Sequence, residues 1–151
     1  MSNKIAFVLG NGTSRSVINL HNLKAKGTTY GCNGLYREFV PDHLVCVDTK
    51  MIIEISETEY HLKYNVHSNR NKLTERTPNI NIMNPNKGWS SGPTALDLAS
   101  SHGHKTIYIL GFDFRGSKEG RMFNNIYADT ANYKKSTDGA TFFGNWMRQT
   151  T

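Results

Sequence analysis

The chain has 151 residues, of which 37% are hydrophobic and 20% are charged, and its formal net charge is +6 with a pI near 9.4. This length suits one domain that buries about two-thirds of the surface of its unfolded form, with no need for a disulfide or metal staple. No run of about 18 apolar residues and no long apolar leader occurs, which excludes a membrane-spanning segment and predicts a soluble, cytoplasmic protein.

The positive charge favours a polyanionic partner, which could be a nucleotide, a nucleic acid or a charged sugar. The lysines and arginines are dispersed and form no dense stripe with interleaved aromatic residues, so nucleic acid is the disfavoured partner. Cys32 and Cys46 lack the paired spacing of metal ligands. Reduced thiols in an intracellular protein are the simplest interpretation.

Short apolar runs recur along the chain, and each is followed by Gly, Asn or Asp. Segments of helical length separate them, a pattern typical of alternating strands and helices in a parallel α/β sheet. We predict a single Rossmann-like domain over residues 1–151, with a mostly parallel sheet flanked by helices. Its core covers 4–114, and a lid and C-terminal segment cover 115–151. The predicted strands are 5–9, 28–32, 44–47, 80–83 and 106–110, with a short one at 64–66.

The first predicted strand runs directly into Gly10, Asn11 and Gly12. Two glycines allow a sharp turn that exposes backbone N–H groups, which suits a phosphate or a ribose. The residues after the turn can begin a helix whose N-terminal amides attract anions. The third glycine of the dinucleotide fingerprint is missing, because Arg15 stands in its place, and an ordinary tight turn remains the alternative.

Three helices are predicted, over residues 16–23, 50–57 and 93–102. The third has cap candidates at Ser91 and Gly92, and Gly103 can end it. His102 and His104 flank that glycine, and we expect them to be exposed at the helix C-terminus rather than to bind a metal.

Two segments are predicted to be irregular. Residues 68–78 are polar and charged, which indicates an exposed loop. Residues 115–138 follow the last strand and combine glycines, basic residues and aromatic residues, as a lid over a ligand would. The aromatic residues of 142–147 could form a docking helix or a contact in a homo-oligomer.

Four polar side chains follow predicted strands: Asn11, Asn33, Asp48 and Asp113. Ligands of parallel α/β sheets bind beyond the carboxyl ends of the strands, so these residues together predict a nucleotide cleft. Each also has a simpler interpretation. Asn33 could be a turn residue, Asp48 a helix cap and Asp113 a loop carboxylate.

The order of these motifs from residue 4 to about 129 resembles a known family. The segments concerned are Gly10-Asn11-Gly12, Gly31-Cys32-Asn33, Pro41-Asp42, Val45-Cys46-Val47-Asp48, Ser90-Ser91-Gly92 and Gly111-Phe112-Asp113-Phe114. The series is similar to the core of bacterial sialyltransferases of glycosyltransferase family 42. It is also similar to the related domain of flagellin-modifying motility accessory factors and of MptE-type 6-hydroxymethylpterin diphosphokinases.

The resemblance implies a Rossmann-like sheet that holds the cytidine nucleotide of CMP-sialic acid. By that resemblance, Asn11, Gly12 and Asn33 lie at the phosphate and ribose, and Ser91 and Gly92 supply phosphate-facing or sugar-facing groups. Gly111, Asp113 and Phe114 would frame the base, and Tyr127 would contact the leaving phosphate. Asp48 stands where the sialyltransferases carry an asparagine, and its carboxylate would suit a ribose hydroxyl or Mg²⁺.

Two features of the sialyltransferases are missing. No histidine follows His104, where that family carries its base. No arginine stands shortly before the Ser90-Ser91-Gly92 turn, where this chain has Lys87, Gly88 and Trp89. Asp129 in the lid and His67 after the short strand are the replacement candidates for a general base.

Three functions are consistent with these residues. The first is a nucleotide-dependent transferase that moves a sugar from a cytidine nucleotide to an acceptor hydroxyl. The second is a diphosphokinase in which Asp48 and Asp113 hold Mg²⁺ on a nucleoside triphosphate. The third is a nucleotide-binding module without catalysis, consistent with the missing histidine.

Overall fold

The computed structural model describes residues 4–83, 89–112, 125–128, 130 and 150. Within these residues the chain forms one six-stranded sheet in which every pair of neighbouring strands is parallel. Helices flank the sheet, which confirms the predicted Rossmann-like α/β fold. The strands are β1 (Ile5–Leu9), β2 (Thr28–Cys32), β3 (His43–Val45), β4 (Val66–Asn69), β5 (Asn81–Met83) and β6 (Thr106–Leu110).

The helices alternate with the strands along the chain. They are α1 (Leu20–Lys24), α2 (Thr49–Thr58), α3 (Tyr60–Lys63), α4 (Lys72–Arg76) and α5 (Ser91–Ser101), with 3-10 helices at Thr13–Val17 and Asn33–Arg37. None of the helices in the described part of the chain combines the length and the apolar character that crossing a membrane requires.

The strand order β5-β4-β3-β2-β1-β6 makes the chain reverse direction across the sheet once. From β1 to β5 each strand is added on the same side, and the chain then returns through α5 to place β6 on the other side of β1. The order therefore reverses between β1 and β6, which are hydrogen-bonded neighbours. We call the place where the loops after these two strands meet the gap between β1 and β6. In open α/β sheets this is where ligands bind.

Two hydrophobic cores lie on opposite faces of the sheet. One joins Phe7, Leu9 and Leu44 to α1, α2 and α3, and its largest helical contribution comes from Met51, Ile52 and Ile55. The other joins Val8, Tyr30 and Val45 to Ala95, Leu98 and Ala99 of α5. Because β1 to β3 are covered on both faces, most of their residues are buried, and β1 is a continuous apolar run.

Several predicted elements are confirmed with small shifts at their ends. The strands β1, β2 and β6 have the predicted bounds, and β3 and β5 begin or end within two residues of them. The helix α2 extends the predicted 50–57 by one residue at each end, and α5 begins two residues before and ends one residue before the predicted 93–102.

The prediction of one helix over 16–23 was wrong, since a 3-10 helix and α1 replace it. Ile18 between them is extended, with φ −103° and ψ 132°, and the Asn19 side chain accepts a hydrogen bond from the His21 N–H at 3.1 Å to begin α1. A local asparagine cap therefore restarts the helix instead of continuing it.

The prediction of an exposed loop over 68–78 was also wrong. Ser68 and Asn69 are buried in β4, and the short strand predicted at 64–66 begins only at Val66. Asn71 then starts α4 through a capping box with Thr74, whose N–H donates to Asn71 Oδ1 at 2.9 Å. The polar composition of β4 does not predict a strand. Neighbouring elements bury β4, although its own residues show no apolar pattern.

Candidate functional site

The register of the sheet brings the carboxyl ends of its central strands level with one another. Leu9 pairs with Gly31 on one side and with Leu110 on the other, and Cys32 pairs with Val45. The residues that follow these strands, together with the start of α5, form what we call the carboxyl edge: residues 10–12, 33, 46–48, 90–92 and 111–112. This edge includes the gap between β1 and β6.

Asn11 is buried at the carboxyl edge and connects β1 to β2. Its Nδ2 donates a hydrogen bond to the Cys32 carbonyl at 3.0 Å, and its Oδ1 accepts one from Arg15 Nη2 at 3.1 Å. The Asn11 carbonyl also accepts from the Ile126 N–H at 2.8 Å, which attaches the segment 125–128 to the same place. The side-chain amide and the backbone carbonyl of Asn11 therefore hold three parts of the chain together.

Asn33 and Ser91 meet at the same edge. Ser91 Oγ donates to Asn33 Oδ1 at 3.1 Å and accepts from the Val47 N–H at 3.1 Å. Asn33 has a φ of 50°, in the left-handed region that asparagine tolerates better than most residues, and it begins the 3-10 helix after β2. These bonds link the end of β2, the segment after β3 and the first turn of α5, whose N-terminus attracts anions.

Asp48 follows Val47 and occupies the N-cap position of α2. Its carbonyl accepts from the Met51 and Ile52 N–H groups at 3.1 and 3.0 Å, and its carboxylate makes no capping hydrogen bond to the helix. The cap interpretation is therefore correct for the position of Asp48 but not for its side chain.

The glycines of the carboxyl edge are required by close packing. A Cβ atom on Gly10 would lie 2.6 Å from the Gly111 carbonyl oxygen, and one on Gly92 would lie 3.2 Å from Phe112 Cζ. Gly111 has a φ of 72°, and its carbonyl accepts from the Gly12 N–H at 2.9 Å. The loops after β1 and β6 thus pack backbone against backbone across the gap.

Arg15 is the residue of this region that sequence patterns did not identify as functional. Its guanidinium is 3% exposed, and Nε donates to the Gly10 carbonyl at 2.8 Å while Nη2 donates to the Tyr127 hydroxyl at 3.1 Å. Glu38 lies beside it, with Oε1 3.7 Å from Arg15 Nη1, and accepts from the Tyr127 hydroxyl at 2.8 Å. Arg15 lies in the last turn of the 3-10 helix Thr13–Val17, and no local pattern of the sequence reveals these partners.

Tyr127, a predicted catalytic residue, therefore lies between Arg15 and Glu38. Burial and its hydrogen bond to Glu38 raise the pKa of Tyr127 well above its usual value, against the opposing effect of Arg15. The hydroxyl keeps its proton at neutral pH, and it can donate a hydrogen bond but not act as a base.

The side chain of His67 belongs to a cluster of four histidines around Tyr30, whereas its backbone carbonyl accepts a hydrogen bond from the Cys46 N–H of the carboxyl edge at 3.0 Å. Its Nε2 lies 3.0 Å from His43 Nδ1, and the Tyr30 hydroxyl forms hydrogen bonds with His102 Nδ1 and His104 Nε2. His102 follows the last residue of α5, whereas Ser91 begins it, so the length of the helix, about 16 Å, separates His102 from Ser91. The side chain of His67 is hydrogen-bonded to His43 within the cluster.

The environment of the cluster disfavours positive charge. Burial, with His43 and His102 nearby, lowers the pKa of His67 to about 4, and burial together with His102 lowers the pKa of His43. His102 is exposed at the end of α5, as predicted, but its ring and that of His104 are bonded to Tyr30. Over the described ranges, no group of three or more His, Cys, Asp or Glu side chains is arranged to hold a metal ion.

Three predicted site residues lie outside the described residues: Asp113, Phe114 and Asp129. The same is true of most of the predicted lid and of the aromatic segment 142–147. Cys32 and Cys46 are described, and both are buried free thiols.

Comparison with known proteins gives no match to a family model, to a curated protein or to a solved structure. The fold and the carboxyl edge define this chain as a Rossmann-like α/β protein. Its function has to be argued from its own residues.

Proposed function

We propose that this protein binds a nucleotide at the carboxyl edge and transfers a group from it, with the sugar of a cytidine nucleotide moving to an acceptor hydroxyl. The observation that carries this proposal is that Asn11, bonded to the Cys32 carbonyl, and the hydrogen-bonded pair of Asn33 and Ser91 lie beside the reversal of strand order. Polar side chains that converge at such a point are typical of nucleotide sites.

Each residue has a defined task in this proposal. The amides of Asn11 and Asn33 bind ribose hydroxyl and phosphate oxygens, and the N-terminus of α5 at Ser91 stabilises negative charge. Tyr127, which stays protonated, donates a hydrogen bond to the departing phosphate. Asp129 is the candidate general base, because His67 makes its contacts in the histidine cluster.

The first prediction concerns the amide of Asn33. The Asn33→Gly substitution keeps a residue that tolerates a φ of 50° and removes the amide, so the fold should be retained. We expect the affinity for CMP to fall about tenfold, as the loss of a hydrogen bond to a charged phosphate would cause. Isothermal titration with CMP and the other nucleoside monophosphates, with and without Mg²⁺, measures this.

Asn79→Gly is the matched control. Asn79 is an exposed asparagine with a φ of 67°, in the connection before β5, and its substitution should leave CMP binding unchanged. If CMP binds equally well to both variants, or if no nucleotide binds to the wild type, the nucleotide site is not where we propose it.

A second candidate function is a nucleotide-binding module without catalysis. The contacts of His67 favour it, since the side chain of this candidate base is hydrogen-bonded to His43 within the histidine cluster. Incubation with CMP-sialic acid separates the two functions. Release of CMP that is lost in Tyr127→Phe supports the transferase, whereas tight CMP binding without turnover supports the module.

A further inference from the structure

Among the residues that the structure describes, Arg15 has a single ion pair, and that pair is long. Its side chain is 3% exposed, and the Glu38 carboxylate lies 3.7 Å from Nη1, beyond hydrogen-bond distance. Burying a charge is costly unless it is paired with good geometry. This buried guanidinium therefore lies in a place that would be stabilised by a closer anion.

The other contacts of Arg15 fix the direction of its guanidinium. Nε donates to the Gly10 carbonyl, and Nη2 donates to both Asn11 Oδ1 and the Tyr127 hydroxyl. These bonds come from the loop after β1 and from the segment at 125–128. They hold the plane of the group so that its Nη1 side is presented toward Glu38.

Glu38 is the exposed member of the group, with 52% of its side chain accessible. An ion pair with one exposed partner contributes little, because water competes for the carboxylate. The Tyr127 hydroxyl, which donates to Glu38 Oε1 at 2.8 Å, is the same hydroxyl that would serve an incoming phosphate. A ligand oxyanion can therefore take the place of this carboxylate and gain both donors.

We propose that Arg15 is the cation that binds the phosphate of the ligand, and that the Glu38 carboxylate occupies this place until the phosphate displaces it. This inference rests on the proposed nucleotide function and adds the charged group that recognises the nucleotide. The ligand class is a phosphate monoester or diphosphate. Arginine suits it because its planar N–H groups match the geometry of phosphate oxygens.

The sharpest test is Glu38→Gln, which removes the competing charge and keeps the side chain's size. We expect CMP and inorganic pyrophosphate to bind about fivefold more tightly at fixed ionic strength, which is the upper range for an exposed ion pair. Cytidine has no phosphate, and its affinity is the uncharged reference. Glu75→Gln is the matched control. Glu75 lies in α4 and forms another exposed ion pair, in which its Oε1 is 3.4 Å from Arg70 Nη1.

Arg15→Lys tests the cation itself. Lysine keeps the charge but loses the planar fork, so the ratio of the CMP affinity to the cytidine affinity should fall about tenfold. Arg70→Lys is the corresponding control. If Arg15→Lys does not fold, as its far-UV circular dichroism would show, Glu38→Gln still decides the question.

The outcomes separate this inference from the proposed function. If Glu38→Gln changes CMP binding no more than Glu75→Gln does, the role of Arg15 is overturned. The proposed nucleotide site is not contradicted by that result. A second outcome is that Glu38→Gln strengthens pyrophosphate binding, while CMP binds no more tightly than pyrophosphate or cytidine does. This outcome supports the role of Arg15 and overturns the nucleotide function. Binding of none of the three probes to the wild type or to Glu38→Gln overturns both.

Discussion

Gly10 shows how a single residue determines the shape of the carboxyl edge. Its φ is not in the left-handed region, and glycine is needed there for space. A Cβ atom would lie 2.6 Å from the Gly111 oxygen and 2.7 Å from Phe112 Cδ1. The close approach of these two loops allows Asn11 and Gly111 to lie at the same point of the sheet.

The Gly10→Ala substitution should therefore destabilise the protein by about 3 kcal/mol, since backbone atoms have to move to admit the methyl group. The midpoint of urea denaturation measures the loss. Gly103→Ala is the control, because Gly103 has a φ of 80° but no atom within 4 Å of the added Cβ. Conformational strain alone should cost about 1 kcal/mol there. Equal losses in the two variants would contradict the crowding at Gly10.

At the scale of the element, α5 connects two different polar groups. Its first residue, Ser91, joins the carboxyl edge through Asn33 and Val47. Its other end, at His102, joins the histidine cluster through Tyr30. The pKa of Tyr30 is raised to about 12 by burial and by Asp42, so its hydroxyl stays neutral and keeps these hydrogen bonds over the physiological range.

From the histidine cluster we predict that acid lowers the free energy of unfolding. The pKa of His67 is about 4 in the folded protein and 6.5 in the unfolded chain, so the unfolded state binds more protons between these values. Stability should be fully present above pH 6.5 and should fall as the pH decreases toward 4, by about 3 kcal/mol from His67. Urea denaturation at half-unit pH intervals measures the slope.

His67→Gln should flatten this slope, because glutamine has no proton to gain. His21→Gln is the control, since His21 is exposed beside Phe39 and lies outside the cluster. A pH slope that is identical in wild type and His67→Gln would show that His67 does not carry the acid sensitivity.

At the scale of the whole molecule, the two hydrophobic cores share one sheet. Leu44 of β3 belongs to the core on the face covered by α2, and Leu98 of α5 belongs to the core on the other face. The strands β1 and β3 contribute to both cores, and each is hydrogen-bonded to β2. A substitution that disturbs packing on either face therefore affects the same β-strands.

The expected single domain over residues 1–151, and the possible homo-oligomer, stay predictions.

Leu44→Ala and Leu98→Ala should both shift one cooperative unfolding transition, each by about 2 to 4 kcal/mol. Far-UV and near-UV circular dichroism followed in the same urea titration should give coincident curves. Two separated transitions in either variant would mean that the two faces unfold independently.

Much of the fold could be predicted because its signals are local. The strands β1, β2 and β6 are short β-rich runs followed by glycine or asparagine, and α5 has its start and stop signals within a few residues. The gathering of Asn11, Asn33, Asp48 and Ser91 at one edge could also be predicted, because the carboxyl ends of parallel strands lie on the same side of a sheet.

The contacts between distant residues could not be predicted in this way. Arg15 and Tyr127 are 112 positions apart, and Tyr30 and His102 are 72 positions apart. Their side chains meet because the order of the strands brings them together, and no local pattern encodes a partner at such a distance. The amino-acid sequence by itself determined the α/β architecture and the polar edge of the sheet. The tertiary structure alone decided which charges and rings meet, since these pairings depend on how the whole chain packs.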